Sequence, residues 1–355
     1  MAFCACKLSF LTIVLIFSTR TQLPAAEGAL LDDDQQALLQ IKISLQSLNN
    51  TIASALSDWI SPNSSSSSNS TNSMSGSSAN PCAWSRVSCS SVANSTRVTG
   101  LDLSFLSSTS VVLVSGFSNL TSLLSLNLSH NHFTGSISED IDNCIHLISL
   151  DLSYNNFSSL PSLSRLSSLQ SFNLSDNIVI SRPLSHAIPG NCSALRSLIL
   201  LRNSLVDLSS VSGQDCINLH TVDLSRNLFT TSNFPTNLTT LPSLRHLAIS
   251  GSKLLGPVPS SLCSRSALQH LDISDNNFTG GFPLFLTNCS SLLHLDISGN
   301  NLTGVLPPQL GNCTSLLWLN LRSKNELTGK LPPELATMGQ DRQKCFVSFF
   351  LINKF

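Results

Sequence analysis

The chain has 355 residues, and three residue types, 63 Leu, 67 Ser and 30 Asn, account for 160 of them. Charged residues make up only 11%, and 19 basic side chains nearly balance 20 acidic ones. This balance excludes a polycationic nucleic-acid binder, and a hydrophobic content of 41% excludes a fully disordered chain. The excess of the same three residue types indicates a repeat that reuses a few positions.

Residues 1–28 have the pattern of a secretory signal peptide. Lys7 precedes an apolar run at 8–17, and small residues follow at Ala25, Ala26 and Gly28. The run is shorter than the ~20 residues that span a bilayer, which argues against a membrane anchor. We therefore expect an exported chain, in a compartment where disulfides and N-glycans form.

Residues 29–97 are expected to form an N-terminal cap. Four apolar residues at helical spacing follow the acidic Asp32–Asp34, a sequence that suits a helix amino terminus: Leu38, Ile41, Leu45 and Leu48. Such a helix would cover the open end of a stacked core. Within the cap, residues 61–80 are almost wholly Ser and Asn, so we expect a flexible insertion, with a glycosylated stalk as the alternative.

Residues 98–338 hold about ten copies of the pattern L-x-x-L-x-L-x-x-N-x-L, for example LISLDLSYNNF at 147–157. In each copy L-x-L alternates with polar residues, which predicts a short strand buried on one face. The Asn amide both donates and accepts, so we expect it to bond the backbone of its own turn and of the neighbouring repeat. This position holds Leu106, Asn131, Asn155, Asn177, Asn203, Asn227, Ser252, Asn276, Asn300 and Asn325.

Several motifs carry a family resemblance. The repeats contain F-T-G-S-I at 133–137, L-T-G-V-L-P at 302–307 and L-T-G-K-L-P at 327–332; the cap contains A-L-L at 37–39, S-D-W at 57–59 and C-A-W-S-R-V-S-C at 82–89. Over residues 29–335 the chain resembles the ectodomains of plant leucine-rich-repeat receptor kinases and receptor-like proteins. The resemblance implies an α/β repeat fold, a right-handed curved solenoid. It would have a parallel sheet on the concave face, irregular and 3-10 segments on the convex face, and a helical cap with a Cys82–Cys89 disulfide.

Five other cysteines share one repeat position, which Leu120, Leu166 and Leu241 fill elsewhere: Cys144, Cys192, Cys216, Cys289 and Cys313. Because Leu and Cys alternate there, we expect free thiols packed as small hydrophobic groups rather than a metal or redox ladder. Cys263 lies outside this row and Cys345 lies in the tail, and the sequence indicates no partner for either.

Fourteen N-x-S/T sequons occur in the chain. We take six as candidate N-glycosylation sites: Asn94, Asn119, Asn156, Asn237, Asn277 and Asn301. Two others, Asn127 and Asn173, are expected to project from the inner sheet, where a glycan would block it.

The residue before each L-x-L is small in the first six copies and then becomes His, His, His and Trp. An aromatic patch on a sheet of small polar residues suits a binding surface. The alternatives are a solvated surface of consensus residues and a His/Asp metal site. Because ordinary histidines titrate near pH 6.5, we expect binding at this face to change between pH 7 and 5. The candidate residues are His246, His270, His294, Trp318, Asp272, Asp296 and Arg245.

No H-E-x-x-H, G-x-S-x-G, phosphate-loop or kinase catalytic-loop motif occurs, so we expect neither an enzyme nor a cofactor. The expected function is an extracellular recognition module for a protein or peptide on the concave face, with a co-receptor as a further partner. One alternative is a secreted inhibitor of a microbial cell-wall enzyme. It would be similar to polygalacturonase-inhibiting proteins, although their Cys-paired C-terminal cap has no counterpart in this sequence.

An eleventh copy is expected to begin after residues 332–338, but residues 339–355 lack the repeat pattern. A truncated, non-functional receptor fragment is therefore a further alternative. No run after residue 28 reaches the length of a membrane span. We expect secretion to the apoplast, or a place at the plasma membrane if the full-length product continues into a span.

Overall fold

The computed structural model describes residues 32–328 except 47–49, 61–79, 94, 107–110, 113–115, 160–162, 178–187, 189–191, 207–210, 212–213, 230–232, 265–266, 314 and 323. The predicted signal peptide, nearly all of the Ser/Asn-rich insertion and the tail at 339–355 lie outside the described residues. Two α-helices, Asp32–Gln46 and Asn50–Ala55, belong to the cap. Among the described residues no helix is long and apolar enough to cross a membrane.

An eleven-stranded sheet runs through the repeats in chain order. Its first two strands pair antiparallel, and each later strand pairs parallel with the one before it, at the same repeat position. The predicted parallel-sheet solenoid is thereby confirmed. The strands are Val87–Val92, Ser95–Asp102, Ser125–Asn127, Ser149–Asp151, Ser171–Asn173, Ser197–Ile199, Thr221–Asp223, His246–Ala248, His270–Asp272, His294–Asp296 and Trp318–Asn320.

A second set of strands follows the Asn turns and forms two smaller parallel sheets. They contain the T-G segments, where Gly135, Gly280 and Gly304 have φ of 78°, 96° and 86°, values that favour glycine. These strands are Val111–Val112, Phe133–Ser136, Asn156–Ser159, Leu255–Gly256, Asn277–Gly281, Asn301–Val305 and Glu326–Thr328. Short 3-10 helices lie in the segments that connect the strands or precede the first one: Pro81–Ala83, Phe117–Asn119, Glu139–Asn143, Thr236–Thr240, Ser260–Cys263, Leu284–Asn288 and Pro308–Asn312.

The buried Asn row connects the repeats as predicted. In Asn276, Nδ2 donates to the carbonyl oxygens of Ile249, Ile273 and Ser274 at 2.8, 3.1 and 3.0 Å. Its Oδ1 accepts from the backbone nitrogens of Ser252 and Leu254, each at 3.0 Å. One side chain thus satisfies backbone groups of its own turn and of the preceding repeat, which stay buried without water.

The cap is docked by a buried ion pair that the sequence pattern does not indicate. Asp34 is fully buried, and its carboxylate accepts two bonds from the Arg97 guanidinium, at 2.8 and 2.7 Å. It also accepts a bond from the backbone nitrogen of Val98 at 2.9 Å. Asp34 therefore joins the first helix to the first repeat, beyond its predicted place at a helix amino terminus, while Leu38 and Ile41 pack into the core.

The S-D-W and C-x-W motifs of the cap meet in space. The rings of Trp59 and Trp84 stack with centroids 5.6 Å apart, and Asp58 accepts bonds from the backbone and the hydroxyl of Ser85. Cys82 and Cys89 form a disulfide, with Cα atoms 5.6 Å apart.

The expectation of free thiols along the Cys row is wrong for three of its five members. Cys192 bonds Cys216, with Cα atoms 4.7 Å apart, and Cys289 bonds Cys263, with Cα atoms 5.6 Å apart. Cys192 and Cys216 come within the distance that a disulfide spans because they occupy equivalent positions of adjacent repeats, and Cys263, although outside the row, lies at a similar distance from Cys289. Cys144 and Cys313 remain free and buried, as expected.

Candidate ligand-binding face

The predicted aromatic residues form a continuous stack on the inner sheet. Strand pairing aligns His246, His270, His294 and Trp318 in register across four neighbouring strands. The imidazole centroids are 4.3 and 4.4 Å apart, and the last imidazole lies 6.1 Å from the indole. All four side chains are half-buried. The stack is therefore a rigid surface, since each ring is held by its neighbours.

Burial lowers the pKa of each of these histidines. The pKa of His270 falls from 6.5 to about 4, first through burial and then through the charges of His246 and His294. For His246, burial again comes first, followed by the neighbouring charge of Arg245. The expectation of titration near pH 6.5 is thus wrong for His270, because a stack of close rings disfavours a proton on the central one. At neutral pH each imidazole is uncharged and offers one donor and one acceptor.

The acidic residues of this face accept hydrogen bonds within their own turns. Oδ1 of Asp272 accepts from the backbone and the hydroxyl of Ser274, at 2.9 and 2.6 Å, and Asp296 bonds Ser298 in the same way. Burial raises the pKa of Asp296 to about 6. These carboxylates thus have structural partners, which leaves the aromatic rings as the more available contact groups.

Arg245, the remaining candidate, is exposed at the start of the His246 strand. Its backbone nitrogen donates to the carbonyl oxygen of His220 at 2.9 Å. Within the described residues no group of three or more His, Cys, Asp or Glu side chains is arranged to hold a metal ion.

A second aromatic stack was not predicted from the sequence. Phe105, His130 and Tyr154 precede the Asn position in three consecutive repeats, with centroids 4.4 and 4.2 Å apart. Their φ angles are 54°, 53° and 53°, in the left-handed region that bulky residues avoid. Phe105 is 71% exposed. Aligning the residue before each Asn would have revealed this row, because other repeats place Gly, Asp, Arg or Lys there.

The candidate N-glycosylation sites differ in their surroundings. Asn119, Asn156, Asn277 and Asn301 are exposed. Nδ2 of Asn237 donates to the carbonyl oxygen of Val211 at 2.6 Å, so that nitrogen is already bonded. Asn94 lies outside the described residues. On the inner sheet, Asn173 bonds Ser175 and Asp151, which makes it part of the turn network.

Two family models, both described as leucine-rich repeat, match residues 266–327 and residues 122–144 and 146–166. Among curated proteins, the Arabidopsis thaliana receptor-like protein kinase BRI1-like 3 is 34% identical over 183 residues, which is 51% of this chain and 14% of the relative. The Arabidopsis protein BRASSINOSTEROID INSENSITIVE 1 is 37% identical over 189 residues, 50% of this chain and 13% of the relative. The matches thus span a small part of these relatives.

Among solved structures, the ectodomain of the Arabidopsis receptor kinase HAESA, in complex with the peptide hormone IDA and the co-receptor SERK1, is 32% identical. Its TM-score is 0.68, and the match covers 85% of this chain and 47% of that one. A plant ice-binding protein is 26% identical, with a TM-score of 0.65 and coverage of 85% and 89%. The chain has a leucine-rich-repeat solenoid fold that resembles the ectodomains of plant receptor kinases.

Proposed function

We propose that the chain is an extracellular recognition module that binds a peptide or protein segment across His246, His270, His294 and Trp318. One observation carries the proposal, the stack of half-buried rings in register on a sheet whose other strands bear small residues. Aromatic residues at the centre of a surface contribute most of the energy in many interfaces. The complex of HAESA with a peptide hormone and a co-receptor supports this class of ligand and a co-receptor as further partner.

The neutral stack suits a polar, extended segment. Nδ1 of His246 is buried and has no hydrogen-bond partner among the described residues. The Trp318 indole adds one N–H donor and a large apolar face. Together these groups favour a ligand with backbone amides and an apolar side chain over a strongly charged one.

Selection from a random peptide display library tests the proposal. Peptides enriched on the wild-type chain should lose at least tenfold in affinity for a His270→Ala/Trp318→Ala variant, measured by surface plasmon resonance. They should keep their affinity for Ser125→Ala/Ser149→Ala, a control at the other end of the same row. Enriched peptides that bind all three proteins equally would contradict the proposed face.

A second candidate function, ice binding, is favoured by the coverage of the solved plant ice-binding protein, 89% of its length against 47% for the HAESA ectodomain. This chain also has an in-register row of hydroxyls on five strands: Ser125, Ser149, Ser171, Ser197 and Thr221. Strands spaced at ~4.8 Å would present these hydroxyls at regular intervals, apart from Ser197, whose Oγ is buried. Inhibition of ice recrystallisation by the purified chain, lost in Ser149→Leu/Ser171→Leu, would support this function over peptide recognition.

A further inference from the structure

A groove separate from the aromatic face lies along the amino-terminal ends of the sheet strands in the first repeats. Its volume is about 910 Å³, within the usual range of small-molecule sites. Leu124, Ile148 and Gln170, each directly before a strand, line it, and Val92 of the cap hairpin also contributes. The groove thus spans the cap and the following repeats at the opposite end of the solenoid from Trp318.

Three aliphatic side chains are partly exposed in this groove. Val92, Ile145 and Ile148 are 38%, 39% and 36% exposed, and all three line it. At the repeat position of Ile145 other copies have Thr121, Ser167 or Ser193, so a polar residue is compatible with the fold there. Solvent-exposed aliphatic groups that converge in one concavity are a typical feature of a binding site.

Among the residues that line the groove, Arg165 carries a permanent charge. The titratable side chains that line the groove are Arg165 and His146, and no carboxylate is among the lining residues. Nη1 of Arg165 donates to Oδ1 of Asn143, which orients the guanidinium, a group with five N–H donors in all. The neighbouring acid, Asp142, accepts a bond from the Arg165 backbone nitrogen. The remaining polar lining is neutral: Ser118, Thr121, Ser122, Ser167, Ser168, Asn143 and Gln170.

We propose that this groove binds a small amphipathic acid, with its aliphatic body on Ile145 and Ile148 and its anionic head on Arg165. The guanidinium is permanently charged and matches the geometry of a carboxylate. A cationic amphiphile would meet the Arg165 guanidinium with no carboxylate among the lining residues to offset it, and a fully apolar ligand would leave the hydroxyl rim unsatisfied. This site is independent of peptide recognition by the aromatic face.

Saturation-transfer NMR with octanoate as the probe tests the proposal in the full chain. Octanoate should bind saturably, octylammonium should bind at least tenfold more weakly, and hexanoate, with two fewer methylenes, about fifteenfold more weakly because each buried methylene contributes about fourfold. Absence of saturable octanoate binding, or equal binding of octylammonium, overturns the proposal.

Matched variants locate the site. Ile145→Glu should abolish octanoate binding, whereas Ile217→Glu, at the same repeat position outside the groove and 46% exposed, should leave it unchanged. Arg165→Gln should weaken binding about tenfold, and the exposed Arg196→Gln should not. Equal effects within either pair contradict the site, and thermal unfolding of all four variants verifies that they fold.

Discussion

At the residue scale, the inner face holds imidazoles and carboxylates whose pKa values are shifted in opposite directions by burial. Burial lowers the pKa of His270 from 6.5 to about 4. Between these values the unfolded chain binds a proton that the folded chain does not, so stability decreases as the pH falls through this window. Burial raises the pKa of Asp296 from 3.8 to about 6. Between those values the folded chain holds the extra proton, so stability increases as the pH falls.

Two substitutions should separate these opposing effects. His270→Gln removes the imidazole whose lowered pKa decreases stability as the pH falls. The unfolding free energy of this variant should therefore fall less than that of the wild type between pH 7 and pH 4.5. Asp296→Asn removes the carboxylate whose raised pKa increases stability as the pH falls. The unfolding free energy of this variant should therefore fall more than that of the wild type. Urea unfolding at both pH values measures the differences. Asn fits position 296 because Asn173, in the same row, bonds Ser175 in the same way. Shifts in the same direction for both variants would contradict the assignment.

The Asn row predicts a graded loss of stability. Asn155 is buried, and its amide donates to the carbonyl oxygens of Leu128, Leu152 and Ser153. Asn155→Ala leaves these groups unsatisfied and should lower the free energy of unfolding by about 2–3 kcal/mol in urea titration. Asn155→Ser should lower it less, because Ser252 fills the same position naturally. An alanine variant as stable as the serine variant would argue that water satisfies the row.

At the scale of elements, the Cys192–Cys216 disulfide connects two consecutive repeats through a sequence separation of 24 residues. A link of this length constrains the unfolded chain, so Cys192→Ala/Cys216→Ala should lower the free energy of unfolding by about 3 kcal/mol. Guanidinium titration measures the loss. Cys144→Ala, a free buried thiol at the same repeat position, is the control for packing alone. If the control loses as much as the double variant, the covalent link contributes nothing beyond packing.

At the scale of the whole molecule, each repeat contacts its sequence neighbours, so a defect at one end should stay local. Arg97→Ala leaves the buried Asp34 carboxylate unpaired, a strongly destabilising change. Hydrogen exchange should accelerate in the first helix and the first repeats, and remain unchanged around His294 and Trp318. The exposed Arg226→Ala is the control. Uniform acceleration across all the repeats would mean that the solenoid unfolds as one cooperative unit.

Much of this architecture follows from the pattern of single residues. The alternation around L-x-L predicts the parallel sheet, and the Asn position predicts the turn network, because both depend on local geometry that each repeat reproduces. The same pattern placed His246, His270, His294 and Trp318 on one face. It could not indicate how strongly the packed rings lower the pKa of His270, since that shift depends on burial among neighbours.

The repeat, its register and the side chains that share a row follow from the amino-acid pattern alone, because a one-dimensional stack converts sequence period directly into spatial adjacency. The packed fold sets which members of a row interact. It paired Cys192 with Cys216 but left Cys144 free, and it joined Asp34 to Arg97 across the cap. These contacts depend on distances and directions between side chains of different repeats, which no linear pattern specifies.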